Sequence, residues 1–420
     1  MERFGIGSHV LSTAVPLFRN VRTDDLPRRR AFFEEVLAEG GVRRTLADNA
    51  RLDTDNTLGL LARYGRDTAG ALQIWDEADP LEPRIPEARP VTEADVKTMF
   101  REVKSAPLGN SGRRRVSSLA GVQDKILLVR QGTGWAEPLD GFPSTHIVKP
   151  INTATPSLIF DEEYGSRFVR ALGLASFATT VQAFDGTYAL VIERFDRDGS
   201  GARIHQEDFN QALGYIGDRK YEAPGETDRL RKIAGVLRTH ARAQDLHDLL
   251  RMTALSVVLH NYDMHAKNIG LLHSAEGEVS LAPMYDVIPS AHLDVDQEFA
   301  LAVNGKRAAR DVTLADVVEE GRAWGVRSAD RIVKDVAELV IATAEREKPL
   351  AAAHGGLDFS VGAAAQRLLD ETASASGGRA AAEPAPRRET GEQTDVSGEG
   401  RAQEVWPSKR PPGGWGGPVR

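Results

Sequence analysis

Hydrophobic and polar positions divide the chain into a strand-rich first part and a helix-rich second part. Residues 31–78 show helical periodicity, with Phe33, Val36 and Leu37 on one face. The segment "ADPLEPRIPEARPVTEADV" follows, and its four prolines and terminal N-cap pattern predict a connector that runs into a helix. The pattern therefore predicts a helical opening before the first strands.

Strand patterns follow at 125–131 ("KILLVRQ") and at 145–150 ("THIVKP"). Residues 161–174 predict a helix, and "TTVQAFDGTYALVIERF" predicts a hairpin that turns at Asp185-Gly186. Helical patterns dominate from Gln206 onward, and the segment after about Ser374 is rich in Gly, Pro, Ser and charge, which predicts disorder. We expect an α+β protein with two lobes, and a ligand cleft between them.

Composition narrows the class of protein. Apolar residues make up 41% of the 420 residues and charged residues 27%, which is typical of a globular chain with a sizeable core. The net charge of −8 argues against nucleic-acid binding by bulk charge. The absence of cysteine excludes disulfides, thiolate zinc sites and cysteine nucleophiles. No apolar run reaches the ~18 residues of a membrane span, and we expect a cytoplasmic protein with no membrane contact.

The stretch "LSVVLHNYDMHAKNIGLL" places a polar segment, residues 260–268, between two apolar runs. Asp263 and Asn268 have the D-x-x-x-x-N spacing of a kinase catalytic loop, and Lys267 adds a cation for phosphate. Two other interpretations are open. Asp263 and Asn268 are also residue types that commonly cap a loop where a helix ends. His260, Asp263 and His265 are close enough in sequence to suggest metal ligands, although their spacing fits no zinc-binding pattern.

Upstream and downstream residues supply the other groups that phosphoryl transfer needs. Asp286 follows the polar segment after a predicted hairpin, and with Asn268 it completes a pair of oxygen ligands for Mg²⁺. Lys149 ends a predicted strand, and Glu163 (or Glu162) in the next helix is its expected partner. A lone lysine at a strand end is more often a solvated surface residue, so the argument depends on the complete set.

Two further stretches complete the expected nucleotide site. "SSLAGVQDK" supplies small residues before a strand, where backbone N–H groups meet phosphate, although a single glycine is weak evidence. "VIERFDR" is an apolar strand that becomes charged at the lobe boundary, where backbone groups would meet adenine.

These stretches resemble the HipA family, the serine/threonine kinase toxins of bacterial type II toxin–antitoxin systems. The resemblance is carried by "SSLAGVQDKILLV", "STHIVKP", "EEYGSRFVRALGL", "LVIERFDR", "RIHQEDFNQALG", "NYDMHAKNIGLL" and "LAPMYDV", in the family's order. It implies a two-lobed, protein-kinase-like fold with a mixed α/β N-terminal lobe and a mostly helical C-terminal lobe. The implied domains are an incomplete N-terminal subdomain (1–80), a kinase N-lobe (81–195), a helical C-lobe (196–374) and a disordered tail (375–420).

The resemblance also implies roles for single residues, with ATP and Mg²⁺ as cofactors. Asp263 would be the catalytic base, with Asn268 and Asp286 as metal ligands and Glu163 as the partner of Lys149. Ser118 matches the family's autophosphorylated serine, whose modification ejects the nucleotide loop; a plain turn serine is the alternative. The nucleotide-binding residues would be Ala120, Gly121, Val122, Gln123, Asp124, Lys125, Lys149, Glu193, Arg194, Phe195, His265, Ala266, Lys267, Asn268, Tyr285 and Asp286.

The implied biology is phosphorylation of a protein such as an aminoacyl-tRNA synthetase, which stalls translation and causes growth arrest or drug tolerance. The expected partner is a HipB-like helix-turn-helix antitoxin, through which the chain would contact DNA only indirectly. The family usually opens with a further β-rich segment before the stretch that resembles "LSTAVPLF", so we expect the N-terminal subdomain to be short. Two other hypotheses are a weakly active co-repressor scaffold held by the antitoxin and a kinase for a small molecule or lipid head group.

Overall fold

The helices and strands follow the predicted division of the chain. The computed structural model describes residues 4–18, 20, 22–80, 82, 84–293 and 297–380, with the backbone alone for 373–380. Its α-helices are α1 (Leu26–Glu35), α2 (Gly40–Ala50), α3 (Thr57–Tyr64), α4 (Glu93–Glu102), α5 (Leu158–Ala171), α6 (Phe209–Leu213), α7 (Arg229–His240), α8 (Ala243–Leu259), α9 (Leu314–Ala323), α10 (Ala329–Arg346) and α11 (Leu357–Ala380). Its strands are β1 (Glu87–Val91), β2 (Ile126–Gln131), β3 (Gly134–Leu139), β4 (His146–Pro150), β5 (Thr179–Phe184), β6 (Thr187–Glu193), β7 (His205–Asp208), β8 (Gly270–His273), β9 (Val279–Leu281), β10 (Glu298–Val303) and β11 (Lys306–Ala308).

The predicted helical opening is confirmed as α1, α2 and α3. Their apolar faces enclose a small core that includes Phe32, Leu46 and Leu60, each almost fully buried. Asn56 caps α3, because its side-chain oxygen accepts a hydrogen bond from Gly59 N at 2.9 Å. The opening therefore has a core of its own.

An antiparallel six-stranded sheet forms the N-terminal lobe, in the order β1-β3-β2-β4-β6-β5. The predicted strands at 125–131 and 145–150 are β2 and β4, which pair with Ile126 opposite Val148. The predicted hairpin is β5–β6, and both turn residues, Asp185 and Gly186, have positive φ as a tight hairpin requires.

The proline-rich connector contains a strand that the sequence pattern did not predict. β1 lies in it and pairs with β3, with Glu87 opposite Leu139 and Pro90 opposite Ala136. Proline has no N–H to donate, so it is tolerated only where one side of a strand is unpaired. β1 is at the edge of the sheet, which is why prolines and a strand coexist there.

Helix α5 lies between the sheet and the segment that carries Asp286. Gly165 sits at the closest approach, where an added Cβ would collide with the backbone oxygen of Val287 and with Pro289. Because glycine removes that clash, α5 lies directly against the chain next to Asp286. This packing sets the distance between the acidic face of α5 and the cleft.

The C-terminal lobe is built around α8, whose second half, from Leu249 onward, is almost entirely buried and which packs against α7, α9 and α10. α8 ends at Leu259 and is capped by His260, whose φ of 53° lies in the left-handed region, and the predicted catalytic loop follows at once. Strands β7, β8 and β9 form a small sheet beside it. The polar segment 260–268 is therefore held at both ends, by the buried end of α8 before it and by β8 after it.

The fold class is the predicted one, a mixed two-lobed kinase-like architecture. The domain boundaries after residues 80, 195 and 374 stay predictions. α11 continues to Ala380, and the rest of the predicted disordered tail, 381–420, lies outside the described residues. Among the helices that the structure describes, none is long and apolar enough to cross a membrane.

Candidate active site

Lys149 of β4 is the centre of a buried ionic cluster in the cleft. Its Nζ donates to Glu162 Oε1 at 2.7 Å and Oε2 at 3.0 Å, and to Asp286 Oδ1 at 2.7 Å. The Lys149 side chain is only 7% exposed, whereas that of Asp286 is 35% exposed. The cluster is therefore closed on the helix side and open towards the cleft through Asp286.

The partner of Lys149 on α5 is Glu162, which corrects the prediction of Glu163. Each helical residue turns by about 100°, so neighbouring side chains face different directions. Glu162 faces β4, whereas Glu163 binds Arg167 on its own helix at 2.8 Å. Glu163 therefore stabilises the helix and does not contact the lysine.

Electrostatics keep the open carboxylate ionised. Burial would raise the pKa of Asp286, but Lys149 outweighs it and holds this pKa well below its usual range. Burial raises the pKa of Glu162, with Lys149 opposing. Asp286 also has a φ of 59°, an unfavourable conformation for a residue other than glycine. Such strain is concentrated at functional sites, and here it belongs to the carboxylate that faces the cleft.

Asp263 and Asn268 are joined within the catalytic loop. Asn268 Nδ2 donates to the backbone oxygen of Asp263 at 2.8 Å, which fixes the spacing of the two side chains. The Asp263 side chain is 58% exposed and accepts a hydrogen bond from the Tyr221 hydroxyl at 3.1 Å. Partial removal from water, followed by repulsion from Asp286, raises the pKa of Asp263 to about 6. A carboxylate with that pKa is suited to accept a proton near neutral pH.

Two loop residues predicted to bind nucleotide are instead largely enclosed by protein. Ala266 is fully buried in the C-lobe core. His265 is 5% exposed and packs edge-on against Tyr221, with ring centroids 5.1 Å apart. Burial, with Lys220 nearby, lowers the pKa of His265 to about 4 and leaves it neutral. Ala266 and His265 therefore pack against protein and hold the loop that carries Asp263 and Asn268 in place.

Lys267 does not stand as a free cation beside the phosphate position, which corrects that prediction. Its Nζ contacts Glu35 Oε2 at 2.8 Å and Glu39 Oε1 at 3.2 Å, both from the N-terminal helical region. Its side chain is 3% exposed. Two carboxylates already neutralise its charge, so its first role is to join the catalytic loop to the N-terminal region.

The predicted nucleotide loop, 120–125, reaches the same cleft. Lys125 Nζ donates to Ala120 O at 2.9 Å and closes the loop on itself. Gly121 has a φ of 102°, a backbone conformation that glycine adopts far more readily than any other residue. Burial and the nearby charge of Lys149 lower the pKa of Lys125 to about 8. Val122 is 66% exposed, and Gln123 and Asp124 are half-buried.

Ser118, the predicted autophosphorylation site, is completely buried just before this loop. Its hydroxyl donates to Val36 O at 3.3 Å and accepts from Ala38 N at 3.1 Å. No phosphate can reach a hydroxyl so enclosed, so modification requires the segment to leave its place. The role of Ser118 stays a prediction.

The predicted hinge contributes one aromatic face. The N–H groups of Glu193 and Arg194 donate to Ala178 O and Thr145 O, both at 2.9 Å, so neither is available to adenine. The Arg194 side chain is buried in an ion pair with Asp196. The role of Glu193 and Arg194 at the adenine side of the cleft stays a prediction, and it would depend on their carbonyl groups.

Phe195 and Tyr285 stack with ring centroids 5.4 Å apart, and the Tyr285 hydroxyl donates to Lys267 O at 2.7 Å. They link the hinge to the catalytic loop. A flat ring pair beside the cleft is the feature that remains for contact with a base.

The residues present fit a magnesium ion held mainly by water and phosphate. Asn268 uses its amide nitrogen on Asp263, which leaves the carboxamide oxygen for a metal, and Asp286 uses one oxygen on Lys149. Among the described residues there is no cluster of three or more His, Asp or Glu side chains arranged for a metal. Mg²⁺ commonly takes one or two protein oxygens with the rest from water and phosphates, so two donors suffice.

Sequence reasoning missed three residues in the cleft, which are Tyr221, Glu39 and Lys220. Tyr221 contacts the Asp263 carboxylate, and Glu39 binds both Lys220 and Lys267. No spacing pattern in the sequence predicts these residues, because they come from segments far from the catalytic loop. Their role appears only when the fold brings those segments together.

The fold and the cleft define a two-lobed, kinase-like protein, and comparison with known proteins gives the family. The model of the HipA-like C-terminal domain matches residues 117–344, and that of the HipA N-terminal domain matches residues 4–75. The chain belongs to the HipA family, as the resemblance implied.

Named relatives agree with this assignment. The chain is 34% identical over 316 residues to "Putative kinase Y4mE" of Sinorhizobium fredii, covering 71% of this chain and 73% of that protein. It is 27% identical over 294 residues to the serine/threonine-protein kinase toxin HipA of Shewanella oneidensis, covering 65% and 66%. A solved complex of Shewanella oneidensis HipA, HipB and operator DNA contains a chain of similar fold, with a TM-score of 0.67 at 24% identity and coverage of 82% and 86%.

Proposed function

We propose that this protein is a Mg²⁺- and ATP-dependent serine/threonine protein kinase of the HipA type that acts as a toxin in the cytoplasm. The observation that carries the proposal is the bond of one buried lysine, Lys149, to both Glu162 and Asp286 in the cleft that also holds Asp263. A buried cation next to an ionised, cleft-facing carboxylate is the arrangement that positions phosphates and their metal.

Each group has a defined task in this proposal. Asp263 accepts the proton of the acceptor hydroxyl, and its pKa of about 6 keeps it mostly unprotonated at neutral pH. Lys149 holds the α- and β-phosphates, and Asn268 and Asp286 would hold the metal. Mg²⁺, when bound, neutralises the charge that develops on the transferring phosphoryl group.

Ser118 gives the kinase a means of self-inhibition in this proposal. Its burial next to the nucleotide loop means that a phosphorylated Ser118 cannot return to its place, because nearly two negative charges would replace a hydroxyl in a closed site. The loop 120–125 would then stay out of the cleft. Loss of ATP binding follows from the displaced loop.

The proposed partners come from the family. The Shewanella oneidensis chain of similar fold was solved with HipB and operator DNA, which supports a HipB-like helix-turn-helix antitoxin as partner and only indirect contact with DNA. The proposed substrate is a protein of translation, such as an aminoacyl-tRNA synthetase. A small helix-turn-helix gene next to this one would support the pairing.

A labelled-ATP experiment tests the activity. We expect the full chain with Mg²⁺ and ATP to label itself and a protein in a cell lysate, and D263N to lower that rate by about 10²–10⁴. D330N, at an exposed aspartate of α10 distant in sequence from the site, is the matched control and should retain the rate. Equal labelling by the wild-type chain and D263N would contradict the proposal and favour the co-repressor alternative.

A further inference from the structure

The segment between α1 and α2, residues 36–39, holds residues 118–125, which include the nucleotide loop 120–125, at two points. Ser118 Oγ lies between Val36 O and Ala38 N, at 3.3 and 3.1 Å. Gly121 N donates to Glu39 Oε1 at 3.3 Å. The loop has no helix or strand of its own between residues 118 and 125, so contacts of this kind determine its position.

The Glu39 carboxylate is the link between this loop and the catalytic side of the cleft. Its Oε2 lies 3.1 Å from Lys220 Nζ, and its Oε1 lies 3.2 Å from Lys267 Nζ. Burial would raise the pKa of Glu39, but the two lysines outweigh it and lower the pKa to about 2. Glu39 is therefore ionised at every pH at which the protein is expected to work.

Glu39 is also close enough to influence the reacting groups. Its charge opposes ionisation of Asp263 and of the Tyr221 hydroxyl, and it favours the charged form of Lys125. A single carboxylate from the N-terminal helices thus contacts the nucleotide loop and two lysines of the C-terminal lobe. No motif of the kinase site contains it.

We propose that Glu39 is a positioning residue that fastens the nucleotide loop in its closed place, so that nucleotide affinity depends on the N-terminal helical region. Without the carboxylate, Gly121 N loses its charged acceptor and the loop loses its tie to Lys220 and Lys267. The loop then opens more often. The part of this proposal that concerns nucleotide affinity rests on the proposed kinase function; the fastening of the loop does not.

Amide hydrogen exchange on the full chain without nucleotide tests the fastening directly. A hydrogen bond to a charged group holds a site more strongly than a neutral one, so E39A should speed exchange of the 118–125 amides by roughly tenfold. E39Q keeps an oxygen for Gly121 N but no charge, and its exchange should lie between those of the wild-type chain and E39A.

The control is E34A. Glu34 lies at the C-terminal end of α1, five residues before Glu39, but contacts Arg43 and Thr57 instead of the loop. Its exchange at 118–125 should equal that of the wild-type chain. Unchanged exchange in E39A, or an equal rise in E34A, overturns the proposal. If E39A does not fold, E39Q against E34Q decides in the same way.

Calorimetric titration with Mg²⁺–ATP gives the second readout. E39A should weaken nucleotide binding relative to E34A, by the factor by which the closed fraction of the loop falls. Faster exchange with unchanged ATP affinity would overturn the positioning role. If the wild-type chain itself binds no ATP, the proposed kinase function fails, while the exchange result still decides whether Glu39 fastens the loop.

Discussion

Two buried lysines, Lys149 and Lys267, are each held by two carboxylates, yet the sequence argument assigned both to phosphate binding. Lys149 contacts Glu162 and Asp286. Lys267 contacts Glu35 and Glu39, and Asp208 Oδ2 lies 4.0 Å from its Nζ. In the first cluster one carboxylate, Asp286, is 35% exposed to the cleft. In the second the exposures are only 3% and 17%.

The difference teaches that a buried ion pair does not by itself mark a reacting group. Taking both charges out of water is expensive, and such pairs serve structure as often as chemistry. What separates the two clusters is access: a metal-bound phosphate can approach Lys149 through Asp286, whereas Lys267 is closed off by the N-terminal helices. The first cluster should therefore control activity, and the second should control stability.

The largest expected effect is the loss of activity in K149M. Methionine fills a similar volume but provides no charge for the phosphates, so the rate of phosphoryl transfer should fall by at least about 10². Labelled-ATP turnover, measured on protein shown to be folded by circular dichroism, gives the ratio.

The matched pair E162Q and E163Q controls for this result. E162Q removes the charge that orients Lys149 and should lower the rate, whereas E163Q breaks only the pair with Arg167 and should stay within about twofold of the wild-type rate. A larger loss in E163Q than in E162Q would reverse the assignment of the lysine partner.

Stability should respond most in K267M. Removing one member of a buried pair leaves Glu35 and Glu39 with less compensation, which costs about 3–5 kcal/mol in comparable sites. Urea unfolding of the full chain measures this loss. At a temperature where K267M is folded, its rate should fall by less than that of K149M. A K267M protein with unchanged stability and no turnover would make Lys267 a phosphate ligand after all.

Sequence reasoning succeeded where the chemistry is local and failed where it depends on distant segments. The spacing of Asp263 and Asn268 predicted a loop in which the two residues are indeed bonded, because both lie on one short turn. Glu163 was chosen over Glu162 because a sequence does not give the rotation of a helix about its axis. The partners of Lys267 were unpredictable, since α1 and the catalytic loop are separated by more than half of the chain.

Edge geometry explains the missed strand β1 in the same way. The prolines of the connector argued against a strand by local rules, and only the place of β1 at the edge of the six-stranded sheet makes a strand compatible with Pro90. Periodicity predicted the central strands of the sheet and several of the helices in their order, whereas their neighbours in space were not predictable.

The smallest expected effect is a shift in the pH dependence of activity, and it separates Asp263 from the carboxylates of the lysine clusters. In the proposed role Asp263 accepts a proton only when it is unprotonated, and its pKa is raised to about 6. The value of kcat/KM should therefore be level above pH 7 and fall about tenfold per unit well below pH 6. Initial rates from pH 5 to 8 measure this limb.

Y221F identifies the group responsible for that limb. The Tyr221 hydroxyl donates to Asp263 and lowers its pKa, so phenylalanine should move the acid limb to higher pH. Burial also raises the pKa values of Glu162 and Asp208, both to about 7, so either would produce a similar limb. Within the part of the chain that the structure describes, the Tyr221 hydroxyl bonds to Asp263 and not to Glu162 or Asp208. An acid limb that does not move in Y221F would assign the titration to Glu162 or Asp208 and remove Asp263 from the role of base.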